Sequence, residues 1–336
     1  TDINGNEHTG TGALALTTVD NVTLAAGYFN QTNLGESGHG LPGILNAKKP
    51  IQADYATKGE LYDAIADWNS TNSTNANQIG ASDIATVGTV VAAGPVTLDA
   101  WYLDMQETFN SYTLGAKAST ELAGITFGAD ARYTSLQLDR NVAENLAGYG
   151  ASYQLKTNDN VENDVHEDNS LAKLALTAKA GTLSGKAVYG KTGKEGGLTA
   201  LDFDASTTLL GWAVTPNGKA DADFYQLVAA VDILPELNLS ANYVNVDYTD
   251  SGSSVTKNAK GNVTDSIVNS AEEEEIYAQL TYKMSKNLAA YVRYGVYSKD
   301  SSSHDTAIND GKNPKDINGV DDKFTNDSRK DTIDDT

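Results

Sequence analysis

Ten charged side chains occupy one kind of position in this chain. Asp99, Lys117, Asp130, Arg132, Lys173, Lys179, Lys186, Glu275, Lys283 and Arg293 each stand opposite apolar residues at a spacing of two. That spacing belongs to β-strands, whose side chains alternate faces. Lining a water-filled channel, such charges would shape its transverse field and act on passing ions. On a sheet facing bulk solvent they would be ordinary surface residues. Periodicity alone leaves both readings open, and the ten are candidate pore-lining residues on the first.

Other chemistry finds little support. The four histidines, His8, His39, His166 and His304, lie far apart in predicted loops. Neither H-E-x-x-H nor G-x-S-x-G occurs, so no zinc protease or nucleophile elbow is expected. The absence of cysteine excludes disulfides, thiolate metal sites and cysteine nucleophiles. "GKTGKEGG" (190–197) departs from the phosphate-loop spacing and no helix follows it. The chain is therefore not expected to be an enzyme or to carry a cofactor. The one exception left open is a structural Ca²⁺ on the acidic runs "EEEE" (272–275) or "DGKNPKDINGVDD" (310–322), since carboxylate oxygens suit that ion. Neither run has EF-hand spacing, and solvated acidic loops are the favoured reading.

Bulk properties narrow the class. The 336 residues carry a net charge of -21, which argues against a nucleic-acid partner. Residue 1 is Thr rather than Met, so the chain is expected to begin at a mature terminus or within a longer protein. No secretory signal is visible and no run of apolar residues is long enough to span a bilayer as a helix. Membrane strands need only about ten alternating residues, and a mean hydropathy of -0.39 is compatible with them. Seventeen Tyr against six Phe favours surfaces that are half apolar and half wet.

The elements that would position the charges recur along the chain. Alternating stretches are "GALALTT" (12–18), "NVTLAAGYFN" (21–30), "VTLDAWYLDM" (96–105), "YTLGAKAS" (112–119), "ITFGADARYTSLQL" (125–138), "LAKLALTAKA" (171–180), "LSGKAVYGK" (183–191), "DFYQLVAAVDIL" (223–234), "NLSANYVNVDYTD" (238–250), "EEIYAQLTYKM" (274–284) and "NLAAYVRYGVYSKD" (287–300). "IATVGTVVAA" (84–93) alternates less cleanly. In 238–250 the phase breaks near Tyr243 and Val244, which predicts a bulge. About a dozen strands of membrane-spanning length result.

Connections alternate as well. Short turns fall at 19–21, 94–95, 121–124, 181–182, 235–237 and 285–287, and long polar segments at 31–83, 140–169, 192–222, 249–273 and 299–336. A tight link near Phe109–Ser111 is the exception. Short turns on one side and long loops on the other mark an outer-membrane barrel, and long structureless loops are uncommon in compact soluble domains. The long segments would hang outside, fold inward or cover the mouth. One of them holds "TKGELYDAIADW" (57–68), where Thr57 and Glu60 are spaced as a capping box and Leu61, Ile65 and Trp68 share a helical face. A short helix is predicted there, on the barrel rim or packed on its own loop. The expected fold is an all-β, antiparallel, up-and-down transmembrane barrel in the bacterial outer membrane, passing small hydrophilic solutes and ions. The alternative is a soluble or surface-attached all-β binding protein such as an adhesin. Many Ala, with Tyr near strand ends, fit lipid contact better than an interdigitated core.

Several stretches resemble campylobacterial major outer membrane porins. "TDINGNEHTGTGALALTTVDNVTLAAGYFNQTN" (1–33) resembles the passage from that family's constriction loop into the next hairpin. "LAGITFGADARYTSLQLD" (122–139), "SLAKLALTAKAGTLSGKAVYGKTGKEGG" (170–197) and "SKNLAAYVRYGVYSKD" (285–300) resemble its later hairpins. The loops do not match. The resemblance implies an eighteen-strand trimeric diffusion porin in contact with outer-membrane lipid and lipopolysaccharide. On that reading residues 1–11 end the constriction loop, "GALALTT" is the sixth strand and 287–300 the seventeenth. The chain ends "SRKDTIDDT" without the family's terminal aromatic strand. It is therefore expected to be one partial barrel domain over 1–336, its two edge strands unpaired. Acidic loops favour weak cation selectivity; the basic residues among the ten oppose it.

Overall fold

The computed structural model describes residues 10–32, 83–140, 142–143, 167–200, 205–249, 254–257, 263–286, 288–307 and 329–331. The predicted helix at 57–68, His8, His39, His166 and the acidic run 310–322 lie outside these residues. So does the expected end of a constriction loop at 1–11, except that Gly10 and Thr11 already belong to the first strand.

The strands are β1 (Gly10–Val19), β2 (Val22–Thr32), β3 (Ile84–Ala93), β4 (Val96–Met105), β5 (Phe109–Leu122), β6 (Ile125–Leu138) and β7 (Asp168–Ala180). They continue as β8 (Leu183–Thr192), β9 (Ala220–Leu234), β10 (Leu237–Thr249), β11 (Ser254–Lys257), β12 (Val263–Ser285), β13 (Leu288–Ala307) and β14 (Arg329–Asp331). All join one antiparallel sheet in chain order, with the short β11 paired to β12 off the main path. Among the described residues β1 pairs only with β2, and the sheet does not close on itself. Twelve long strands in sequential order are the up-and-down architecture expected.

Tight turns fold consecutive strands together. Gly94, Gly124 and Gly181 take positive φ at three of them, where a side chain would be strained. The link near Phe109–Ser111 is corrected: the turn is at 106–108, with Glu107 at φ 53°, and Phe109 opens β5. Two predicted loops are corrected as well. β12 begins at Val263 and β13 runs on to Ala307, so much of 249–273 and 299–307 is paired strand. These outer stretches are rich in Ser, Thr, Asn and Glu. Hydrophobic alternation is absent from their sequence while the backbone ladder continues.

One face of the sheet is apolar and bare. Leu24, Leu98, Leu114, Leu176, Leu227, Ile276, Leu280, Leu288 and Val296 are all exposed, and Val292 and Tyr294 are 71% and 80% exposed. On β1 the register turns Ala13 and Ala15 to this face and the exposed Leu14 and Leu16 to the other. Such a surface far exceeds the apolar patches that water-soluble monomers tolerate. Tyrosines mark a level across it. Following the cross-strand register, Tyr102 pairs with Tyr112, and Tyr133, Tyr189 with Tyr225, Tyr243 and Tyr294 lie progressively nearer the short turns. The descent is eight residues over the eight strand steps from β4 to β13. With the usual rise and strand spacing, that line crosses the strands at about 35° from the perpendicular. A level aromatic girdle on strands tilted in a membrane produces this diagonal. On its long-connection side, Tyr189 donates to Asp223 Oδ1 at 2.5 Å and Tyr243 to Glu274 Oε2 at 2.9 Å. The ring bodies thus sit among apolar neighbours and the hydroxyls among charges, as an interface requires.

Candidate functional site

The opposite face carries all ten sequence candidates. In register order, Asp99, Gly115, Arg132, Lys173, Gly190, Phe224, Val246, Glu273 and Lys299 form one row across β4 to β13. The next row toward the short turns holds Lys117, Asp130, Ala175, Val188, Gln226, Val244, Glu275 and Tyr297.

On β4 to β6 the charges pair among themselves. Arg132 donates from both terminal nitrogens to Asp99, at 2.9 and 3.0 Å. The pair is largely shielded, with side chains 8% and 11% exposed. It passes over Gly115, where a Cβ would collide with the Asp99 carboxylate and the Arg132 guanidinium. Lys117 and Asp130 make a looser, wetter pair at 3.5 Å. Lys186 donates to Gln226 Oε1 at 3.1 Å. Lys179 pairs with Asp232 at 3.4 Å near the turns, and Lys283 is exposed at the same end of the sheet.

Across β8 to β13 the face is covered. The β8–β9 connection folds back onto the sheet, and its residues 205–217 lie over the polar face. Val214 is fully buried against Ala222, Phe224, Val244, Val246, Tyr248, Ala271 and Tyr277, with Leu209 and Tyr297 packed alongside. Leu209 occupies the space that a Cβ on Gly190 would need. The bulge expected near Tyr243 and Val244 is absent: β10 pairs with β9 and β12 without a register shift there. The apolar residues change face because their partner does. Leu239 and Ala241 lie on the bare apolar face, whereas Val244, Val246 and Tyr248 lie beneath the inserted segment.

Three strand side chains hold that segment. Glu275, 2% exposed, accepts backbone N–H bonds from Trp212 at 2.5 Å, Ala213 at 2.8 Å and Val214 at 3.4 Å. Lys173 donates to the carbonyl oxygens of Ser206 and, at 3.1 Å, Thr208. Arg293 lies 5.1 Å from the Trp212 ring, 5.0 Å from Tyr277 and 5.4 Å from Tyr291, while its Nε donates to Gln279 at 2.8 Å. The acidic run 272–275 is thus corrected from loop to strand. Glu273 turns inward to Lys219 at 2.6 Å and Tyr248 at 2.7 Å, whereas Glu272 and Glu274 take the other face. Among the described residues no group of three or more His, Cys, Asp or Glu is placed to hold a metal ion.

The ten sequence candidates therefore divide into four paired residues on β4 to β6, two lysines near the turns, Lys186 bonded to Gln226, and three residues that clasp the inserted segment. Sequence reasoning missed that segment, Trp212 and the Glu273–Lys219 pair. One signal was available: "LLGWAV" (209–214) is an apolar run inside a connection otherwise read as polar.

A sequentially ordered antiparallel sheet, bare and apolar on one face with a tyrosine girdle, charged on the other and crossed there by a folded-back connection, defines an outer-membrane channel of the barrel type. Comparison with known proteins makes the class specific: residues 146–302 match the family of Gram-negative porins. The protein is accordingly an outer-membrane channel for small solutes in a Gram-negative bacterium. The fold is similar to that of Pseudomonas aeruginosa OccK2 (OpdF), with a TM-score of 0.51 at 12% identity over 91% of this chain and 69% of that one. It is similar also to Pseudomonas aeruginosa OccK8 (OprE), with a TM-score of 0.52 at 15% identity over 90% of this chain and 69% of that one. No curated protein sequence matches the chain. The location in the outer membrane disposes of the soluble-sheet alternative, whose apolar face would have required a second layer.

Proposed function

We propose that the protein is a general-diffusion porin, passing small hydrophilic solutes and ions down their gradients with the charged sheet face lining the pore. The observation carrying this reading is the segregation of faces: a continuous apolar surface on one side and ten charged side chains on the other. On this reading Asp99, Lys117, Asp130, Arg132, Lys173, Lys179, Lys186, Glu275, Lys283 and Arg293 border the aqueous path, and the segment 205–217 narrows it. The narrowing lies level with the girdle, since Arg132, Lys173 and Arg293 neighbour its tyrosines along the sheet.

Seven of the ten strand charges are basic and three acidic, while the whole chain is strongly acidic. The two tendencies oppose, so the pore passes ions of both signs with at most a weak preference for cations gathered at the mouth. The hairpins that resemble campylobacterial porins support assembly as a homotrimer amid lipid and lipopolysaccharide, and the acidic connections leave room for a structural Ca²⁺. The test is planar-bilayer recording of the detergent-extracted protein. Stepwise ion conductance with a small reversal potential in a salt gradient is expected, and a bilayer that stays silent overturns the proposal.

A further inference from the structure

We propose that residues 205–217 form a hinged strap whose position sets the width of the channel, and that Glu275 is the positioning residue that holds it narrow. The inference rests on the channel reading above.

The strap has the construction of a separable part. Its base is closed on the rest of the connection and tied to β7: the Asn217 side chain bonds Thr199 N, Ala200 N and Ala200 O at 3.0, 3.2 and 2.8 Å, and Asn169 Oδ1 on β7 accepts from Leu198 N at 3.0 Å. Its distal turn is closed on itself by Gly211 N to Val214 O at 2.8 Å and by the Thr215 hydroxyl to Leu209 O at 2.7 Å. Between base and tip, the polar anchors come from strand side chains, namely Glu275, Lys173 and Arg293. None of them serves in a strand ladder, so releasing the strap breaks no strand pairing.

Glu275 makes most of the polar contacts between strands and strap, beside the apolar packing of Val214 and Leu209. One buried carboxylate collects three consecutive amides, an anion nest filled from within the molecule. Gly211 lets it do so, because a Cβ there would overlap the carboxylate. Without an acceptor those amides are driven to water, and the water lies in the pore. Trp212 is already 45% exposed, so the tip stands at the edge of the aqueous space and has somewhere to go.

The experiment is single-channel recording of the outer-membrane protein carrying Glu275→Gln, with folding checked by heat-modifiable electrophoretic mobility. The amide group keeps the shape but points a donor at donors. Freeing the pore of the strap is expected to raise unitary conductance roughly two-fold, in proportion to open cross-section. The chain has no cysteine, so a Gly190→Cys, Leu209→Cys pair introduced into the Glu275→Gln protein forms a unique cross-link. Its oxidation is expected to restore the wild-type conductance and its reduction to release it. Should Glu275→Gln fail to assemble, Lys173→Met removes the second anchor that hydrogen-bonds the strap backbone and is expected to show the same rise and the same reversal. A folded variant with wild-type conductance overturns the strap, as does a raised conductance that persists after cross-linking. A silent wild-type protein would instead strike the channel reading.

Discussion

Strands β5 to β7 and strands β9 to β12 present the same face of the same sheet, yet their residues follow different rules. In one row Arg132 and Lys173 give way to Phe224 and Val246; in the next Asp130 gives way to Val244. The first region is mostly uncovered, and its charges pair across strands except for Lys173, which reaches the edge of the folded-back segment. The second meets a folded-back connection, and its side chains form a buried apolar cluster with it. The uncovered part of this face is largely polar, whereas the covered part is apolar apart from buried charges matched in place, Glu275 by strap amides and Glu273 by Lys219. Alternation in a strand reports what stands opposite each face, and a change of partner looks in sequence like a break of phase.

The largest effect is expected where that difference is erased. Val246→Asp places a carboxylate in the dry contact beneath the strap, directly across from Glu273, which already takes Lys219 and Tyr248 as its partners. Leaving a buried charge uncompensated costs about 3–5 kcal/mol. The strap is expected to lift, seen as proteolytic cleavage within 205–217 while the barrel keeps its heat-modifiable mobility. The reverse exchange, Asp130→Val, removes only a half-wet pair with Lys117, and is expected to change stability by no more than about 1 kcal/mol. Equal effects of the two substitutions would abolish the distinction between the regions.

Next comes the pair that keeps the open region neutral. Asp99→Asn strips the shielded Arg132 of its acid, for a loss of about 3 kcal/mol in thermal unfolding in detergent. It also leaves a net cation on the exposed face, so the reversal potential in a salt gradient is expected to move toward anions. An unchanged potential would remove Arg132 from the aqueous path. Gly115→Val tests the same pair sterically. Its Cβ enters the space the ion pair crosses, and overpacking of this kind costs about 1–3 kcal/mol.

Legibility in the sequence follows from the same contrast. Where lipid faces one side of a strand and water the other, as at Leu174 and Leu176 against Lys173 and Thr177, period-two alternation gives the strand, its faces and its charges. The turns were readable because Gly94, Gly124 and Gly181 adopt conformations that other residues avoid. What escaped was set by contacts remote in sequence. Glu275 and its amide donors are separated by about sixty residues, and no local pattern joins "LLGWAV" to Val244 and Val246. The strand ends at 263–273 and 301–307 escaped for a different reason: backbone pairing leaves no trace in polar side chains.

The smallest predicted effect probes how the covered region borders the open one. Arg293 has the bare apolar face on either side in sequence, Val292 and Tyr294, but its own guanidinium faces three rings and one amide. Of those groups only Trp212 belongs to the strap; Tyr277, Tyr291 and Gln279 belong to the sheet. Arg293→Gln therefore removes one cation–π contact from the strap, worth about 1 kcal/mol at a half-exposed site. Glu275 and Lys173 keep their own bonds to it. The expected outcome is an unchanged mean conductance with more frequent brief steps to a higher level, because the tip alone is loosened. Trp212→Phe keeps a weaker π-face and should fall between wild type and Arg293→Gln. If Arg293→Gln instead raised the mean conductance as far as Glu275→Gln, the guanidinium would be the principal anchor and the amide nest a secondary one.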